Sequence, residues 1–219
     1  MPTSEDYENY RKKGLKENLK NFNVDEAYVS KKIKEFVQFN PDFTIEEVKD
    51  EIKKNSMLTR FFLKDPIRQN MYETVVSEYI KKIEGVIHFG KPSPDLYITT
   101  DRKLISKNEI KRQNLEAACK SIDFYWEYEG KKIYAYHKYA KEPGGHQDNQ
   151  YEDLLKFIQI ANSLNIDNAI FLAIADGDYF NSNDGKVDKK RMDNLRDTAN
   201  KRNTFGLTSE EIKITLNNL

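Results

Sequence analysis

The chain has next to no cysteine: Cys119 is alone among 219 residues, which excludes an intrachain disulfide. With no predicted base beside it, that thiol reads as a small buried apolar group. Long hydrophobic runs are missing as well. No stretch of about 18 apolar residues occurs, and the start, MPTSEDYENYRKKG, has no apolar leader core. These absences predict a soluble, cytoplasmic protein. Neither sign of charge is in excess, since Lys+Arg and Asp+Glu each number 36 and the formal net charge is zero. That excludes a polycation that coats nucleic acid non-specifically, but leaves room for a local basic groove. No internal repeat is present, and His88 and His146 have no metal-ligand spacing with the cysteine. No Walker or dinucleotide pattern accompanies Gly144 and Gly145.

What the chain does have is ring-bearing side chains, 12% of the total with 13 tyrosines, as expected of a folded protein. Its length suits one large domain, or a domain with a helical extension, able to build a core without staples. Residues 1 to about 84 read as charge-rich helices. Asn23 is a candidate cap for a helix bearing Val29, Ile33, Phe36 and Val37, and Thr44 with Glu47 forms a capping box. A longer helix is expected after Asp65 and Pro66, with Tyr72, Val75, Val76, Tyr79, Ile80 and Ile83 on one stripe.

From about residue 86 the period changes. SPDLYITTDRKLI suggests a short hairpin, and Ser106 with Glu109 forms a capping box that opens a helix over about 107 to 120. Two strands, Asp123–Tyr128 and Lys132–Ala140, are joined by Glu129 and Gly130, a strong hairpin signal. A helix over about 148 to 163 carries Tyr151, Leu154, Leu155, Ile158 and Ala161 inward. NAIFLAIADGDYF then reads as a central strand covered on both faces, ended by Asp176 and Gly177. A polar loop, a helix near 187 to 201, and a short strand and helix close the pattern. The succession predicts an α/β fold with a mixed β-sheet flanked by helices over 61–219, plus an N-terminal helical region over 1–60.

Residues two apart on a strand share a face, so Tyr134, Tyr136, Lys138 and Ala140 align, with Ile133, Ala135, His137 and Tyr139 opposite. His137 thus reads as packed in the sheet, and Trp126 as core. Asp123 opens the neighbouring strand and can approach Lys138 across the pair. A carboxylate and a lysine at one strand end suit phosphodiester cleavage: the carboxylate holds a hard divalent cation, and the lysine orients water or stabilises developing charge.

The stretch KSIDFYWEYEGKKIYAYHKYAKEPGGHQDNQYEDLLKF, with FLAIADGDYF after it, covers roughly residues 120 to 180. It resembles the PD-(D/E)xK nucleases and, within them, type II restriction endonucleases. The resemblance implies a restriction-endonuclease-like core and a Mg2+-dependent, sequence-specific double-stranded DNA endonuclease. By it, Asp123 takes the first acidic position and Lys138 the lysine position, and Glu73 in KDPIRQNMYE joins from the first core helix. It further implies metal binding by Asp123, Glu73 and Asp148, with DNA contacts from Gln147, Asn149, Gln150 and Lys141. The expected partners are duplex DNA, a second copy in a homodimer, and a cognate DNA methyltransferase acting on the same site. Lys131, Lys132, Lys138 and Lys141 make a local basic cluster.

Two departures stay open at this level. The position two before the lysine, where the family has an acid, is Tyr136, so that carboxylate would come from Glu73, Asp148 or Glu142. A rival register also exists, with Asp95 followed by Glu109 and Lys111 in EIK, although the capping box there argues for a helix start. A catalytically degenerate protein of the same fold, binding DNA or a protein partner without cutting, is the alternative that Tyr136 motivates.

Overall fold

The computed structural model describes residues 4–64, 68–114, 120–142 and 144–219. Cys119, and the helix-entry turn expected at Asp65 and Pro66, lie outside the described residues. The chain divides into two compact units, Glu5–Met71 and a second that includes Tyr72–Leu219.

The first unit is helical: α1 (Ser4–Lys20), α2 (Ala27–Phe39), α3 (Ile45–Lys54), α4 (Ser56–Phe62) and the start of α5 (Arg68–Ile80). Val24, Val29, Ile33, Val48, Ile52 and Phe62 form its core. The stripe on α2 and the capping box of Thr44 and Glu47 are both present. Asn23 differs from expectation. Its side chain accepts from Asp25 N in a turn before α2, and the cap position falls to Glu26. An Asx turn satisfies the same short side chain locally, so it competes with capping.

The second unit is built on a five-stranded mixed sheet in the order β1 (Val86–Gly90), β5 (Phe124–Tyr128), β6 (Lys131–Tyr139), β7 (Ala169–Asp176), β10 (Thr204–Leu207). β1, β5 and β6 run antiparallel, whereas β6, β7 and β10 are parallel. This is the α/β class with a mixed sheet flanked by helices. Glu129 and Gly130, at φ 47 and 75, make the two-residue turn that joins β5 to β6. All eight residues of β7 are buried, as its unbroken apolar run requires.

Two helices cover one face. α7 (Gly145–Ala161) crosses from β6 to β7, and α8 (Arg191–Thr198) from β7 to β10. Leu154, Phe157, Ile158, Met192 and Leu195 from these helices pack with Tyr134, Tyr136, Phe171 and Ala173 of the sheet. Each fully buried large apolar side chain contributes roughly 1.5–3 kcal/mol of transfer free energy. On the other face, Tyr72 of α5 stacks on Tyr139 at 3.9 Å between ring centroids, and the Tyr128 hydroxyl donates to Asn217 of α9 (Ile212–Asn217). A lesser sheet, β3-β2-β4, joins β2 (Leu96–Ile98), β3 (Leu104–Ser106) and β4 (Lys120–Ser121). β8 (Asn183–Asp184) and β9 (Lys189–Lys190) form a small hairpin whose second strand occupies the start of the helix expected near 187 to 201; that helix, α8, runs only from Arg191 to Thr198.

Among the described residues, no helix is long and apolar enough to cross a membrane.

Candidate active site

Asp123 lies one residue before β5, and its N–H donates to Ala135 O at 2.9 Å, continuing the β5–β6 ladder. Its carboxylate reaches across that ladder. Oδ2 accepts the N–H of His137 at 2.9 Å, so a side chain stands where a backbone carbonyl would otherwise serve. The residue is half-buried, and its carboxyl pKa is pushed up to about 6. Burial is the main cause, and the nearby charge of Glu73 adds to it. The His137 N–H and the Lys138 ammonium oppose the rise without cancelling it.

Lys138 lies on β6, half-buried, opposite Ala175 of β7. Its Nζ sits 4.4 Å from the centroid of the Tyr136 ring. Tyr136 is 4% exposed and stacked on Phe157 of α7, with 5.3 Å between centroids. The Tyr136 hydroxyl donates to Asp153 Oδ2 at 3.4 Å. Burial, followed by the charges of Asp153, Asp123 and Glu73, raises the pKa of this phenol, so it stays a neutral donor. Of the residues expected from sequence, Lys138 and Glu73 both lie within electrostatic reach of Asp123, and all three border Tyr136.

Asp153 was not among the acids expected to replace the one missing at Tyr136. The signal for it was the helical spacing of four residues between Asp153 and Phe157, which puts both on one face of α7. Phe157 had no place in the expected stripe, and Asp153 went unnoticed with it.

The other candidates go elsewhere. Asp148 receives a hydrogen bond from the Tyr179 hydroxyl and lies 3.7 Å from the Arg191 guanidinium. Arg191 stacks 4.3 Å from the Tyr179 ring centroid and donates to Ser182 Oγ and Asn183 O. The loop after β7 thus braces the first turn of α7. Gln147, Asn149 and Gln150 belong to that helix, whose start at Gly145 is earlier than the sequence suggested. Asn149 is exposed, while Gln147 and Gln150 are half-buried. Lys141 and Glu142 are exposed in the link from β6 to α7.

In the rival register, Ser106 caps α6 (Lys107–Gln113) and Glu109 completes the box, accepting from Ser106 N at 2.8 Å. Those bonds hold the Glu109 carboxyl below its ordinary range. Asp95 lies 4.0 Å from Lys91 Nζ, and Lys111 is exposed. EIK is helical here, and residues two apart on a helix do not share a face, so Glu109 and Lys111 diverge. α6 ends at Asn114 with φ 55, short of the expected residue 120; residues 115–119 are outside the described residues. Glu109→Gln is expected to leave any DNA cleavage unchanged in a gel assay, because its carboxylate serves the helix start; loss of activity in that variant would restore the rival register.

His137 is fully buried on the opposite face, with Nε2 at 3.2 Å from Asp176 Oδ2. The other oxygen of Asp176 accepts the Ser209 N–H at 2.9 Å, so the strand-ending aspartate ties β6 and β7 to the start of the last helical segment.

Among the described residues, no three His, Cys, Asp or Glu side chains form a ready-made metal cage. Glu73 and Asp123 are the oxygen donors a hard cation would meet, and one or two carboxylates completed by water and phosphate oxygens is an ordinary setting for Mg2+. Burial first, and the Glu73 charge after it, disfavour the Asp123 anion, and a divalent charge beside it would offset both. Compared with protein-family models, curated proteins and solved structures, the chain matches none.

Proposed function

We propose that this chain is a Mg2+-dependent, sequence-specific double-stranded DNA endonuclease of the type II restriction kind. One observation carries the reading: the Asp123 carboxylate and the Lys138 ammonium lie on one side of paired strands within electrostatic reach, with Glu73 close enough to raise the Asp123 pKa. The order of helix, three antiparallel strands, crossover helix and parallel strand formed by α5, β1, β5, β6, α7 and β7 accords with a restriction-endonuclease-like core.

In this reading Asp123 and Glu73 hold the cation, and Asp153 adds negative charge through Tyr136. When bound, Mg2+ supplies Lewis acidity toward the phosphate and toward water. Lys138 offers a positive charge to a phosphate oxygen as the bond to the leaving oxygen breaks. Asn149, Gln147, Gln150 and Lys141 lie at the start of α7 and in the link before it, suited to base edges and phosphates. Asp148, held by Tyr179 and Arg191, steadies that helix start rather than joining the metal site. A homodimer would match a two-fold symmetric site, and a methyltransferase of the same specificity would protect the host DNA.

A second reading is favoured by Tyr136, a phenol where the resemblance expects an acid: a protein of this fold that binds DNA without cutting it. Plasmid digestion separates the two. Discrete fragments with Mg2+ and none with EDTA are expected; intact plasmid together with metal-independent retention of DNA would select the second reading.

A further inference from the structure

We propose that Tyr136 is the positioning residue for Lys138, holding the lysine ammonium over its ring at the place where a second acid is expected. A lysine side chain has a flexible four-carbon stem and a compact charge, so it needs a partner to fix its direction. Among the described residues, Lys138 forms no ion pair; its Nζ instead lies 4.4 Å from the Tyr136 centroid. The two residues are two apart on β6, so they share a face by construction.

The ring is itself held in place. Phe157 stacks against it at 5.3 Å with 22° between planes, and Asp153 receives its hydroxyl at the far end. A ring gripped at both its face and its hydroxyl cannot turn away from the lysine. A π face attracts a cation without neutralising it. A carboxylate in the same position would instead draw the ammonium into an ion pair. Tyr136 therefore keeps the charge of Lys138 directed and available.

The geometric part of this proposal is independent of the nuclease reading, whereas its kinetic part rests on it. The test uses the full chain and two variants. Tyr136→Phe keeps the ring, and Tyr136→Met fills a similar volume without a π face. Nuclear magnetic resonance of the Lys138 side chain, assigned through Lys138→Arg, is expected to show ring-current upfield shifts of its terminal methylene protons. Those shifts should persist in Tyr136→Phe and vanish in Tyr136→Met. With plasmid DNA and Mg2+, Tyr136→Met is expected to lower kcat roughly tenfold or more with KM little changed, the size of a partly desolvated cation–π contact. Tyr136→Phe should stay within about threefold of the parent.

Lysine signals at random-coil positions in the parent chain would overturn the proposal, as would shifts that survive in Tyr136→Met or a kcat for that variant equal to the parent. If Tyr136→Met does not fold, the parent signals alone decide. A parent chain that never cuts DNA defeats the nuclease reading and leaves the resonance result to judge Tyr136.

Discussion

Asp123→Asn should lose DNA cleavage and, in the same molecule, gain resistance to unfolding at neutral and alkaline pH. The loss follows from removing the oxygen charge that holds the cation, and is expected to exceed roughly a hundredfold, as when a preorganised electrostatic group is removed from a reacting centre. The gain follows from the carboxyl's environment. A group whose pKa rises from its ordinary 3.8 to about 6 on folding is favoured in its protonated form by the fold. Its contribution to stability is therefore complete below pH 3.8 and disappears as pH rises through about 6. Above pH 6 the folded protein carries a half-buried anion that costs on the order of 1–3 kcal/mol. Asparagine keeps an oxygen for the His137 N–H and removes the charge. In metal-free buffer the variant should therefore show a higher urea midpoint than the parent at pH 8, and the difference should shrink toward pH 4. Saturating Mg2+ should narrow the gap at pH 8, since the cation stabilises only the parent. A variant less stable than the parent at pH 8, or one that still cuts, would remove Asp123 from the role assigned to it. Lys138→Ala is the companion change, expected to abolish cleavage with folding intact.

The second large effect is expected at Gly177, where β7 ends. Its backbone is at φ 103 and ψ 159, a region open to glycine and strained for other residues. A Cβ built there would meet Ala140 O at 2.2 Å and Ala140 C at 2.7 Å. The obstacle is backbone, so no rotamer relieves it. That carbonyl also accepts the Tyr179 N–H at 3.2 Å, and Ala140 N donates to Asp176 O at 2.9 Å, so the two chain segments are fastened together at this crossing. Gly177→Ala should cost about 3–5 kcal/mol, combining strain with displacement of a packed segment. Ala140 is two residues beyond Lys138, so cleavage should also fall at temperatures where the variant is still folded. Thermal melts and a plasmid assay at low temperature measure both; an unchanged melting midpoint would show that the crossing gives way easily.

The sequence was informative where local chemistry and tertiary demand agreed. Glu129-Gly130 is a two-residue connection with glycine second between two strand-like runs, so the β5–β6 hairpin was legible, and with it the face shared by Tyr136 and Lys138; that Glu129 itself stands at φ 47 was not. The apolar run of β7 admitted no other placement in so polar a chain. β1 escaped notice because VIHFG is a short edge strand that breaks its own alternation: His88 stands at φ 54 and the register slips between Ile87 and Gly90. The site was half legible. Asp123 and Lys138 could be paired from strand alternation, but Asp153 reaches Tyr136 only through the rotation of α7 against the sheet. Asp148 misled for the same reason, since its partners Tyr179 and Arg191 are 31 and 43 residues further along the chain.

The place of β10 and Ser209 in the chain has a consequence for synthesis. β7 is flanked by β6, made before it, and by β10, made roughly 30 residues later. Until residues 204–209 leave the ribosome, the most apolar strand of the protein has a bare edge, and the Asp176 carboxylate lacks the Ser209 N–H that receives it in the finished fold. The nascent chain must carry that unfinished edge through the making of α8, and the sheet closes only when its outermost parallel strand arrives.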